Sequence, residues 1–299
     1  MDAQGVSPPV GSGAVEVRQP QRRTLPIVLA SPHSGRTYPA DLVNASRLDP
    51  VTLRRSEDSF VDEIFAGACR LGAPLLAARF PRAYVDVNRE PYELDPAMFA
   101  EPLPDYVNTR SPRVRIGLGT IARVVASGEE MYSRKLSFAE AKSRIDSLYY
   151  PYHRALRRLL DETEAEFGVY LLIDCHSMPS AAAAACGHDA ADIVLGDCHG
   201  SACDPQLIEA ARRFLASRGY AVAINAPYAG GFTTGHYGHP QLGRHALQIE
   251  INRGIYMDER HYRRKPALAR LGNEMSALVA RLAEVTQDCL ATPGLKAAE

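Results

Sequence analysis

The sequence is short of several features that assign a chain at a glance. Its 299 residues hold six cysteines, at positions 69, 175, 186, 198, 203 and 289, and no CxxC pair. Neither a disulfide framework nor a four-cysteine zinc cluster is expected, and most of the thiols read as small apolar fillers. Cys198, His199 and Cys203 are a lesser metal-site alternative, and the plainer reading of that stretch is a loop followed by a helix. Charge of one sign is also missing, since 34 Lys plus Arg stand against 35 Asp plus Glu. No global field favours nucleic acid or an anionic membrane. The first 24 residues contain no apolar stretch, which excludes a secretory signal peptide or a span within them, and the chain is expected in the cytoplasm. No HExxH, internal repeat or heptad array occurs.

What is present is a composition of 46% hydrophobic and 23% charged residues, enough to bury a sizeable core. Short apolar runs at 26–30, 74–80, 83–87, 169–173, 192–195, 221–224 and 245–251 read as strands. Helical spacing appears at 57–71, closed by Gly72, at 137–167 with a kink near Pro151, at 204–217 behind an Asp204 cap, and at 259–282. This alternation predicts an α/β fold: a single-domain, layered α/β/α arrangement with a central mixed, largely parallel sheet, hydrolase- or phosphorylase-like. Residues 1–23 are expected to be a flexible arm, 24–285 the catalytic domain and 286–299 a loose tail. The stretch 90–130, rich in Pro, Gly and Arg, reads as a long insertion or substrate-covering segment.

The chemistry gathers where apolar strands end. Open α/β sheets place their sites at the carboxyl ends of strands, and here those ends carry His33, Asn88, Arg89 and His176. Two histidines plus a carboxylate suit a borderline divalent ion such as zinc. Asp58 is the chosen third ligand and Glu57 its competitor; either also suits a helix cap. Glu250 interrupts an apolar run, where a carboxylate is costly to bury without a partner. It is a candidate base, with the solvent face of an edge strand as the plain alternative. Arg89 offers a planar fork for a substrate carboxylate, Asn88 a second contact, and Arg253 an alternative fork. In the glycine-rich loop 230–238, Thr233, Thr234 and His236 are candidate donors to substrate or to a developing oxyanion.

These elements together resemble the N-formylglutamate amidohydrolases, zinc-dependent enzymes of histidine breakdown related in fold to metallocarboxypeptidases and aspartoacylases. The resemblance is carried by Ser31-Pro32-His33-Ser34-Gly35, Glu57-Asp58 with Val61-Asp62, Tyr84-Val85-Asp86-Val87-Asn88-Arg89, Asp174-Cys175-His176-Ser177-Met178, Gly230-Gly231 with Thr234 and His236-Tyr237-Gly238, and Gln248-Ile249-Glu250. It implies His33, Asp58 and His176 as ligands of one divalent metal, zinc, and Glu250 as the base. It also implies Asn88-Arg89 as the carboxylate contact and an oxyanion role for His236. The carboxypeptidase pattern has Glu three residues after its first histidine, where this chain has Arg36. The implied reaction splits N-formyl-L-glutamate into formate and L-glutamate. Hydrolysis of another N-acyl amino acid or short peptide, and metal-free binding of acidic metabolites, are the alternatives.

Overall fold

Strand β2 (Ile27–Ser31) is buried at every position, which a strand flanked on both sides within a sheet requires. In the computed structural model, which describes residues 13–125, 127–184 and 191–290, it lies inside a seven-stranded sheet of order β1-β3-β2-β4-β7-β5-β6. The others are β1 (Val15–Arg18), β3 (Leu75–Ala78), β4 (Tyr170–Met178), β5 (Ile193–Gly196), β6 (Val222–Ile224) and β7 (Arg244–Asn252). β2 runs parallel to β3 and β4, and β4 parallel to β7. β5 pairs antiparallel with β7 and parallel with β6. The sheet is therefore mixed and mostly parallel, with helices packed on it, as the strand and helix alternation predicts.

The described residues gather into two compact units interleaved in sequence, one within 1–16, 35–57 and 78–154, the other within 17–34, 58–77 and 155–299. In the second unit, one face of β4 and β7 is apolar. Leu171, Ile173, Cys175, Leu247, Ile249 and Ile251 join a cluster with Leu271, Met275, Leu278 and Leu282 of the helix Ala267–Leu290. Each fully buried Leu or Ile contributes about 1.5–3 kcal/mol relative to exposure. Side chains alternate along a strand, so the same β4 and β7 send Asp174, His176, Gln248 and Glu250 to the opposite face.

Several boundaries differ from the sequence expectation. Residues 15–18, expected in a loose arm, form β1, while residues 1–12 lie outside the described residues. Residues 83–87 form no strand but a turn, held by Asp86 N–H on the Thr120 carbonyl. The helix expected over 57–71 is two short pieces, Val61–Phe65 and Ala68–Leu71, the second closed by Gly72 at φ 106°. The last helix starts at Ala267 rather than 259, because β8 (Met257–Asp258) and β9 (Arg263–Arg264) form a small hairpin first. It runs to Leu290, past the expected start of the tail, and residues 291–299 lie outside the described residues. The glycine-rich stretch contains a helix, Phe232–Tyr237. Among the described residues no helix is long and apolar enough to cross a membrane.

In the first unit, Gly35 is packed so closely on the Phe80 backbone that a Cβ would lie 2.0 Å from its carbonyl oxygen. Gly35→Ala is expected to destabilise the protein by about 1–3 kcal/mol through overpacking, read as a lower Tm on thermal unfolding. An unchanged Tm would show that the backbone yields at no cost.

Candidate metal centre

Three loops and strands of the second unit deliver the site. β2 ends at Ser31, and Pro32-His33-Ser34 turn away from it, with Ser31 and Ser34 hydroxyls bonded to each other and Ser34 Oγ accepting the Asp62 N–H at 3.2 Å. The Asp58 N–H donates to the His33 carbonyl at 3.0 Å, tying the two loops together. Two residues later Phe60 adopts φ 69°, a costly conformation for a bulky side chain, and starts the helix Val61–Phe65. Its ring lies under the Arg264 guanidinium at 4.3 Å, and Arg264 is paired with Glu63. His176 sits inside β4, which extends through Met178 rather than stopping at Ile173, and its Cα is in register with that of Glu250 on β7.

The ligating atoms of His33, Asp58 and His176 all lie within 4.8 Å of one another, and all three residues are buried. Asp58 Oδ2 is 3.0 Å from His176 Nδ1 and 3.4 Å from His33 Nδ1. Its other oxygen accepts from Arg253 Nη2 at 3.0 Å and Ser177 Oγ at 3.3 Å. Two imidazoles and one carboxylate are the donor set of a catalytic zinc site, so these residues fit a divalent ion. Glu57, the competing third ligand, is occupied in the first unit by Arg54 Nε at 3.1 Å and the Tyr38 hydroxyl at 2.7 Å. Cys203 is packed in the apolar core, and among the described residues no Cys198-His199-Cys203 group converges on a point.

The carboxylate and the imidazoles shift one another's titration. Burial pushes the Asp58 carboxyl up, but the hydrogen bonds and charges of His176 and His33 outweigh it and hold the group well below the ordinary carboxylate range. Burial likewise disfavours a charged His176. Asp174, whose Oδ1 is 3.0 Å from His176 Nε2, then Asp58 and Glu250, reverse this and raise the imidazole well above its ordinary value.

Glu250 is buried on β7, an interior strand, so it does not lie on the solvent face of an edge. Gln248 Nε2 donates to its Oε1 at 3.0 Å. Thr234 is buried with Oγ1 3.4 Å from Asp174 Oδ2 and 3.5 Å from Gln248 Oε1, within this polar network. Thr233 is buried beside it. His236 is exposed: its Nε2 faces Arg157 Nη2 at 3.3 Å and its ring stacks on Phe232 at 4.8 Å. The structure thus directs His236 at Arg157 instead of the histidine–aspartate group, because it projects from the helix Phe232–Tyr237 on a different side from Thr234. Burial and then Arg157 lower its pKa.

The family model for N-formylglutamate amidohydrolase matches residues 25–257, most of the chain. The chain belongs to the N-formylglutamate amidohydrolase family. It is 31% identical to an N-formylglutamate deformylase of Pseudomonas aeruginosa over 82% of this chain and 86% of that one. With a Pseudomonas putida protein of the same name the identity is 29%, over 79% and 83%. The crystal structure of N-formylglutamate amidohydrolase from Ralstonia eutropha JMP134 superposes with a TM-score of 0.87 at 37% identity, covering 92% of this chain and 99% of that one. Proteins of this family are hydrolases that cleave an amide, and this chain is an enzyme of that kind.

Two neighbours of this candidate group were not singled out from the sequence. Asp174 backs His176, and Gln248 holds Glu250; each lies two residues before its partner on a strand, the spacing that returns a side chain to the same face. That spacing was the available signal. Arg253, read as a fork for substrate, is buried and engaged with Asp58 and Ser177. In the first unit, Asn88 and Arg89 are both buried beside Asp86, whose Oδ1 accepts the Asn88 N–H at 2.9 Å and whose Oδ2 lies 3.5 Å from Arg89 Nη2.

Because its carboxylate neighbours raise the His176 pKa, metal binding there is expected to release a proton. The sign follows: affinity rises with pH, and each unit of acidification below the raised pKa weakens binding about tenfold. Calorimetry of zinc binding in buffers of different ionisation enthalpy reads this, and a buffer-independent heat would contradict it. His176→Ala is expected to abolish retention, and Asp174→Asn to weaken it about 10- to 100-fold, by competition with a chromogenic chelator.

Proposed function

We propose that this chain hydrolyses the amide bond of N-formyl-L-glutamate to formate and L-glutamate, using one divalent ion, zinc, held by His33, Asp58 and His176. The observation that carries the reading is the buried group of two histidines and an aspartate beside Glu250, in a chain of this family. A bound ion of this type polarises a carbonyl and brings the pKa of water close to neutrality. Glu250 takes a proton from the water that attacks the formyl carbon. When the C–N bond breaks, the same carboxyl returns the proton to the leaving amine, so one water is consumed and Glu250 ends as it began. Gln248, at 3.0 Å, holds the carboxylate of Glu250 in place through both transfers.

The other residues divide by charge. Asp58 is read as a ligand through Oδ2, with its second oxygen neutralised by Arg253 and oriented by Ser177. Arg253 is therefore a positioning residue in this reading, not a substrate contact. Asn88 and Arg89 are the proposed contacts for a substrate carboxylate, supported by a buried guanidinium whose planar fork suits that group. Histidine breakdown is the setting the family resemblance implies for this substrate.

The experiment joins metal analysis of the purified protein to an assay of N-formyl-L-glutamate against N-acetyl-glutamate and N-acetyl-aspartate. A stoichiometric metal with turnover of the formyl substrate alone is expected. A metal-free protein without turnover sinks the proposal, and preferred turnover of an acetyl substrate moves it to another N-acyl amino acid. Glu250→Gln is expected to keep the metal and lose about 10²-fold or more in kcat, whereas near-normal rates would remove Glu250 as the base.

A further inference from the structure

The reading of Arg89 as a carboxylate contact leaves open what aims it, since a turn without strand or helix geometry carries it. The described residues of the first unit supply a rigid element. The helix Phe138–Arg144 is started by a capping box at Ser137 and Glu140 and runs into a π turn, Ile145–Tyr149, which continues as the helix Tyr150–Phe167. The Tyr150 N–H reaches back to the Ile145 carbonyl, five residues away. Such a turn stacks residue i near residue i+5, which places Arg144 and Tyr149 along one side, and Tyr149 and His153 follow at helical spacing. All three contact the segment that carries Arg89. The Arg144 guanidinium lies 4.2 Å over the Tyr84 ring, His153 Nε2 donates to the Val87 carbonyl at 2.9 Å, and the Tyr149 hydroxyl donates to the Arg89 carbonyl at 2.7 Å. Arg89 Nε in turn donates to the Leu118 carbonyl at 2.9 Å.

We propose that Tyr149 and His153 are positioning residues for substrate recognition: by gripping the carbonyls of residues 89 and 87 from the π turn and the turn after it, they set the direction of the Arg89 fork. This rests on the reading of Arg89 as the carboxylate contact. A π turn is costly relative to continuous α-helix and recurs at functional sites, and here it brings the two donors into line with the Arg89 segment. Neither residue touches substrate in this account, so their loss acts on binding of the carboxylate and not on the chemical step.

The test is steady-state kinetics on the full-length zinc-loaded enzyme with N-formyl-L-glutamate, N-formyl-L-glutamine and N-formyl-L-isoglutamine. The variants are Arg89→Ala, Tyr149→Phe, His153→Leu and His153→Gln. Tyr149→Phe and His153→Leu are each expected to raise KM for the dicarboxylate about three- to tenfold with kcat within about twofold. They leave KM unchanged for the monoamide to which Arg89→Ala is indifferent, and His153→Gln, which keeps an N–H donor, stays near the parent. If Arg89→Ala raises KM while Tyr149→Phe and His153→Leu leave it at the parent value, the positioning role is overturned. It is overturned equally if those two lower kcat on all three substrates alike, as general loosening would. An unchanged KM in Arg89→Ala removes the carboxylate reading itself, and this inference with it.

Discussion

Asp58 is the carboxylate on which the rest of the site hangs. One oxygen faces both histidines and the other faces Arg253 and Ser177, so a single buried group joins the loop after β2, strand β4 and the end of β7. Burying such a charge is costly unless it is paired and hydrogen-bonded, and here the partners come from three separate parts of the chain, around residues 33, 176–177 and 253. The Asp58 N–H on the His33 carbonyl closes the arrangement through the backbone. Loss of the Arg253 contact would leave buried negative charge less compensated, which makes the carboxylate and the guanidinium interdependent.

The sheet makes this affordable by separating its two faces. Cys175 and Ile249 enter the apolar cluster under the helix Ala267–Leu290, while His176 and Glu250, one residue on, emerge opposite. Each polar residue on that face has a neighbour of suitable chemistry: Asp174 for His176, Gln248 for Glu250, Thr234 near both. A carboxylate behind an imidazole fixes its orientation and raises its basicity, the direction seen for His176. Phe60, held in an unfavourable backbone conformation two residues beyond Asp58, shows local strain beside the candidate ligand; packing of its ring beneath Arg264 helps to hold it there.

The first unit solves a different problem. Residues 84–89 have no ladder to stiffen them, and the stretch 90–130 contributes there by accepting Arg89 Nε on the Leu118 carbonyl and Asp86 N–H on the Thr120 carbonyl. Its sequence is rich in turn formers, and its structure is a set of such local bonds with two short helical turns, Pro96–Met98 and Pro112–Arg115.

Much was legible in the sequence because it depended on local rules. Apolar runs located β2, β3, β4, β5, β6 and β7; Asp204 marked the helix Pro205–Ser217; and Gly72 marked a helix end through its positive φ. His33, His176 and Glu250 stood out as polar residues at or within apolar strands, Asp58 was a carboxylate at the start of the expected helix with Glu57 as its competitor, and their ordered spacing carried the family resemblance. What only the tertiary structure decided was partnership. Residues 83–87 look like a strand but fold as a turn; Arg253 looks like a substrate fork but points at Asp58; His236 looks like a donor but faces Arg157. The type of a side chain states which bonds it can make, and its sequence position limits the face it occupies. Which partner it meets across separations as long as that of Asp58 from Arg253 is set by how the strands and loops pack, and so the two histidines at strand ends became one buried centre only when the chain was folded.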